Sequence, residues 1–139
     1  MKAEIESKLR DLKKYVQFLE TYRKENKNKL EKDMTLRDAV ERYLQLSIEI
    51  VIEIGEMIIA YEDLEKPETY RNVIEILGKE GILQKGFAKK LAPAAGFRNI
   101  LIHRYGEVDF DDVYKHLQED VKDFDVFARQ VSKYLKNKN

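Results

Sequence analysis

The residues best equipped for chemistry stand together in GFRNILIHRYGEVD, residues 96–109, which brings Arg98, Asn99, His103 and Tyr105 into one short stretch. A guanidinium grips phosphate oxygens through two parallel N–H donors, and an imidazole moves protons near neutral pH. Together, without a metal, they suit a phosphodiester. If the substrate is RNA, its own 2′-hydroxyl is the nucleophile. The site must then supply a base for that proton, an acid for the leaving 5′-oxygen and a cation for the crowded phosphorane. One histidine falls short by one acid or base. A twofold dimer would bring two copies of His103 and Arg98 to one cleft, which is a physical reason to expect a homodimer.

Other chemistries are poorly served. No second histidine stands at ligand spacing and no carboxylate shares this face, so no metal site is expected here. The chain has no cysteine, which removes disulfides, thiolate zinc sites and cysteine nucleophiles together and suits a cytoplasmic protein. A Gly-rich phosphate loop is lacking and no serine adjoins His103, so no cofactor is expected. On spacing alone, a lone histidine near a helix end, hydrogen-bonded to a backbone carbonyl, is the commoner object in proteins. His116, the other histidine, lies in an acidic segment and reads as a surface or interface residue.

The elements that must position these residues are helical. Ile5, Leu9, Leu12, Val16 and Leu19 alternate steps of four and three, an apolar stripe widened by Tyr15, Phe18 and Tyr22. The lysine-rich RKENKNKLEK that follows reads as a frayed end and loop. Thr35, with Asp38 three places on, resembles the N-cap of a second helix of about 25 residues. From Leu46 to Ala60 that helix is apolar round most of its circumference, which places it mid-bundle or against a second copy. Pro67 suits the first turn of a third helix ending at Gly78 or Gly81. A fourth region starts near Gln84, bends or restarts at Pro93 and runs to about Tyr105, with Gly106 as its stop. Asp109 caps a last long helix striped with Val113, Leu117, Val121, Phe124, Phe127, Val131 and Leu135. Nothing alternates with period two. The expected architecture is an all-α bundle of about five helices in one domain, residues 1–139.

With Arg98 at zero and about 100° per residue, Ile100, Phe97 and Leu101 fall at about 200°, 260° and 300° and are expected to face the core. Asn99 and His103 fall at about 100° and 140°, so the polar residues share the sector turned away. Ile102, at about 40°, is an apolar residue inside that sector and suggests a covering protomer.

Lysine plus arginine balance aspartate plus glutamate at 26 each, so no overall field draws the chain to nucleic acid. The distribution is uneven. Between Gly81 and Gly106 every charged side chain is basic (Lys85, Lys89, Lys90, Arg98 and Arg104), whereas Glu107 to Asp125 is mostly acidic. Lys85, Lys89, Lys90 and Arg104 are candidate RNA contacts; the plainer expectation is that the two blocks neutralise each other. The apolar stretch Leu46 to Ala60 is broken by Glu49, Glu53 and Glu56, and the first residues are charged, so neither membrane insertion nor export is expected.

RNILIHRY is an R-x4-H-x-Y pattern and resembles the signature of the HEPN superfamily, most closely the HepT-like toxins paired with a minimal nucleotidyltransferase antitoxin. The likeness extends through ERYLQLSIEIVIEIGEMIIA, ETYRNVIEILGKEGIL, AGFRNILIHRYGEVD and VYKHLQEDVKDFDVFARQV, in order. The resemblance implies a homodimeric, metal-independent endoribonuclease, the toxin of a type II toxin-antitoxin system acting on tRNA or mRNA. Arg98 and His103 match the family's catalytic pair, and Asn99 the polar residue that supports it. It also implies a cognate nucleotidyltransferase that neutralises the toxin, in some members by attaching AMP to the motif tyrosine, here Tyr105. The alternative is a non-catalytic subunit that uses the same surface to hold a nucleotide or the nucleotidyltransferase.

Overall fold

The computed structural model describes residues 1–104 and 107–138. Among them the chain forms six helices and no strand: α1 (Lys2–Arg23), α2 (Lys27–Lys32), α3 (Met34–Tyr61), α4 (Tyr70–Lys79), α5 (Lys85–His103) and α6 (Phe110–Lys136). The all-α expectation holds, with one helix more than the sequence predicts. The addition is α2, inside the stretch read as loop. Asn26 caps it by accepting from the backbone N–H groups of Asn28 and Lys29, and its one apolar residue, Leu30, is fully buried. One turn and a half with a single anchor leaves no periodicity to read.

Helix α3 is the hub, packed against every other helix. That is why its hydrophobic residues surround it: Ile48, Ile50, Val51, Ile52, Ile54, Ile58 and Ile59 are all buried. Ser47 is buried with them, its hydroxyl without a hydrogen-bond partner among the described residues. The start of α3 is set by Asp33 rather than Thr35, since the Asp33 carboxylate accepts from the N–H groups of Thr35 and Leu36. Similarly, α4 begins at Tyr70 and leaves Pro67 outside. The Thr69 hydroxyl oxygen accepts from Asn72 N–H at 2.9 Å and fixes the start of the helix three residues beyond Pro67. Gly81, at φ 76°, ends α4 in a Schellman turn, its N–H bonded to Gly78 O and that of Ile82 to Leu77 O. Pro93 does not restart α5; it sits exposed within one continuous helix, where the unpaired carbonyl a turn earlier can face water.

Helix α4 is held close on both sides by absent side chains. A Cβ on Gly55 of α3 would lie 2.5 Å from Val73 Cγ1, and one on Gly78 would lie 2.5 Å from Ala88 Cβ on α5. Valine is stiff at χ1 in a helix and cannot turn aside. Gly55→Ala is therefore expected to destabilise the fold by about 1–2 kcal/mol, overpacking outweighing the gain in helix propensity. At Gly86 a Cβ meets only the capping Gln84 side chain, at an ordinary contact distance of 3.4 Å. Gly86→Ala is expected to stabilise slightly, and urea unfolding of the two variants measures the contrast.

Candidate active site

All the described motif residues lie on the last turns of α5 or just beyond. Phe97 and Leu101 are buried as the wheel requires, Asn99 and His103 are exposed, and Arg98 is half-buried. Ile100 departs from expectation: it is 41% exposed. Phe97 and Leu101 define the core side at this end of the helix, and Ile100 lies past its edge, within the face shared by Asn99 and His103. The apolar residue set into the polar face is thus Ile100, more than the half-exposed Ile102. Helix α5 ends at His103, with Arg104 as its exposed C-cap. Tyr105, the expected modification site, and Gly106, the expected stop, lie outside the described residues.

Arg98 is placed by α4. Its guanidinium carbon lies 4.8 Å from the centroid of the Tyr70 ring, a cation–π contact. Its N–H donors remain available, since no hydrogen bond holds the side chain among the described residues. Asn99 opens onto the same side: it lines a cleft with Tyr70, Thr69, Val73 and Glu56. No sequence signal links Tyr70 or Glu56 to this motif. They arrive through helix packing, from positions far upstream.

Behind the motif, α6 supplies a second arrangement. The His116 ring stacks on Phe97, with centroids 3.9 Å apart and planes at 18°, and its Nδ1 lies 2.6 Å from the Asp120 carboxylate. His116 is thus largely covered rather than a surface residue. The available signal was its spacing from Asp120, one turn along the same face. Burial pushes the Asp120 carboxyl above its ordinary value, and the His116 contact partly offsets this. Because that carboxyl binds its proton more tightly folded than unfolded, its contribution to stability is fully present at low pH. It is lost as pH rises through the folded-state value. Stability curves of wild type and Asp120→Asn should therefore differ in slope across the acid range just above the ordinary aspartate value, with the variant flatter.

The basic block is only slightly neutralised by the acidic one. Lys90 reaches the buried Asp123 at 3.3 Å, while Asp111 pairs with Lys27 of α2 instead. Lys85 and Lys89 stand exposed in the first turns of α5, and Lys90 lies about 20 Å along the axis from His103. The structure does not bring these three to Arg98 and His103. Among the described residues no group of three or more His, Asp or Glu side chains could hold a metal ion, and no helix is long and apolar enough to cross a membrane.

A tRNA nuclease HepT of Aphanizomenon flos-aquae is 33% identical over 95 residues, a match spanning 68% of this chain and 65% of that protein. An mRNA nuclease HepT of Shewanella oneidensis is 29% identical over 100 residues, spanning 72% of this chain and 75% of that one. A solved structure of the tri-AMPylated Shewanella oneidensis HEPN toxin in complex with MNT antitoxin superposes with a TM-score of 0.82 at 25% identity, covering 93% of this chain and 96% of that one. Residues 5–131 match the family described as ribonuclease HepT-like. With the helical frame and the R-x4-H motif at the end of α5, that match places the chain in the ribonuclease HepT-like family.

Proposed function

We propose that this protein is a metal-independent endoribonuclease toxin that cuts RNA, tRNA or mRNA, at a site shared by two copies of the chain, and that a nucleotidyltransferase antitoxin neutralises it. The observation that carries the reading is the exposed face of α5, where Asn99 and His103 flank Ile100 and Tyr70 holds Arg98 at the rim. The activities in the relatives' names and the partner in the solved complex support it. An isoleucine exposed among catalytic polar groups is the kind of residue a second copy covers, and that copy supplies the missing acid or base.

In the reaction, the 2′-oxygen bonds to phosphorus as the bond from phosphorus to the 5′-oxygen breaks. One His103 accepts the 2′-hydroxyl proton; the other, protonated at the outset, gives its proton to the leaving oxygen. Arg98 holds the phosphorane oxygens and Asn99 supports them. The products are a 2′,3′-cyclic phosphate and a 5′-hydroxyl. Lys85, Lys89 and Arg104 steer the flanking backbone, with Lys90 partly committed to Asp123. Attachment of AMP to Tyr105, two residues after His103 in the chain, would put a phosphate in competition with the substrate's own.

The test is cleavage of total tRNA and mRNA in EDTA by the purified protein, free of its nucleotidyltransferase, together with growth on expression. Cyclic-phosphate products and growth arrest are expected. Intact RNA at concentrations where the chain is dimeric would sink the reading and leave a nucleotide-holding or partner-holding subunit.

A further inference from the structure

The ribonuclease reading gives no task to the cleft beside Asn99. Tyr70 and Val73 of α4, Glu56 of α3 and Asn99 of α5 line it together, around a volume of about 360 Å³. A second hollow of about 340 Å³ adjoins it, sharing Glu56 and Pro67 and running on along Ile59, Ala60 and Leu64. Each is of a size that takes a small planar ligand.

The walls discriminate between the parts of a nucleotide. Arg98, over the Tyr70 ring, puts a cation beside the cleft, while the exposed Glu56 and Glu68 are among the residues that line it. Phosphate is attracted to the first and repelled by the second. What enters is therefore the base. An aromatic wall suits it, because single-stranded RNA is read by bases splayed out against aromatic side chains and hydrogen-bonded along their edges. Glu56 is exposed and forms no ion pair among the described residues, so its carboxylate is free to act as an acceptor. Thr69, whose hydroxyl oxygen already accepts from Asn72 N–H, keeps its O–H to donate.

Resting on the ribonuclease reading, we propose that this cleft seats the nucleobase next to the scissile phosphate and that Glu56 selects bases carrying an amino group. A carboxylate only accepts hydrogen bonds, so it takes an exocyclic N–H of cytosine, adenine or guanine. Uracil presents a ring N–H between two carbonyl oxygens, which the carboxylate repels. Glutamine at this position carries both a donor and an acceptor and discriminates less.

The experiment uses single-stranded oligoribonucleotides that differ only in the base beside one cleavable linkage, cut by wild type and by Glu56→Gln. Wild type is expected to prefer amino-bearing bases to uracil by about tenfold or more, and Glu56→Gln to bring the ratio within about threefold. A merely structural role for Glu56 would slow all substrates alike and leave the ratio unchanged; that result overturns the proposal, as does wild type without a preference. A binding arm separates this inference from the catalytic one: cytidine and uridine 5′-monophosphates are titrated into His103→Ala and His103→Ala/Glu56→Gln, followed by NMR shifts of α4 amides. Cytidine preference lost on adding Glu56→Gln supports the cleft even if wild type cuts no RNA, the result that sinks the ribonuclease reading alone. Equal binding of the two nucleotides overturns the cleft whether or not RNA is cut.

Discussion

His103→Ala is expected to lower single-turnover cleavage of total tRNA by about 100- to 10,000-fold, the usual contribution of a positioned acid or base. In the proposed dimer the expectation lies toward the larger loss, because one substitution removes both the acid and the base. The fold should not notice. His103 is exposed at the last position of α5, and such truncations shift stability within about 0.5 kcal/mol. Rate loss with an unchanged unfolding midpoint is the result to look for, and growth arrest relieved by the same substitution its cellular counterpart. A variant that cuts tRNA at the wild-type rate would remove His103 from the reaction.

Arg98→Ala should lower kcat/KM by about 100- to 1,000-fold, the range seen when a group stabilising transition-state charge is removed. Arg98→Lys separates charge from shape. Lysine keeps the positive charge but loses the two-pronged grip on phosphate and the guanidinium's contact with the Tyr70 ring, so most of the loss should persist. The salt dependence tells the same story from the other side: the alanine variant drops roughly one phosphate contact from its slope, whereas the lysine variant retains it. Equal rates for arginine and lysine would show that only the charge matters and that the contact with Tyr70 of α4 has no catalytic role. Because Arg98 also covers the Tyr70 ring, its removal carries a modest stability cost, on the order of 0.5–1 kcal/mol.

The two long amphipathic helices were readable because a surface helix must bury one stripe: Ile5, Leu12, Val16 and Leu19 of α1 and Val113 through Leu135 of α6 are buried as their spacing requires. Asp109 was readable as a cap because its carboxylate has one local task, accepting from Asp111 N–H. Boundaries failed where two capping residues compete, as at Asp33 and Thr35, or where proline was preferred to a threonine hydroxyl, as at Pro67 and Thr69. Ile100 failed for a different reason. A helical wheel gives the angle between residues but not which arc the neighbouring helices cover, and only α3, α4 and α6 in place determine that. The motif was visible because its members are close in sequence. Tyr70 and Glu56 were not, because what joins them to Arg98 and Asn99 is the packing of three helices, and no spacing rule encodes it.

The Gly55 and Val73 contact has a consequence for how this protein can vary. The pair shares one volume, so neither position has a fixed tolerance of its own. A methyl group arriving at 55 is harmful with valine opposite and less so once 73 has shrunk to alanine, when the remaining close neighbour is Leu77 Cδ1 at 3.3 Å, which makes the order of the two changes matter. Since 73 sits one turn from Tyr70, such paired drift would carry the arginine's aromatic seat with it, and substrate preference could move without a single change inside the R-x4-H motif.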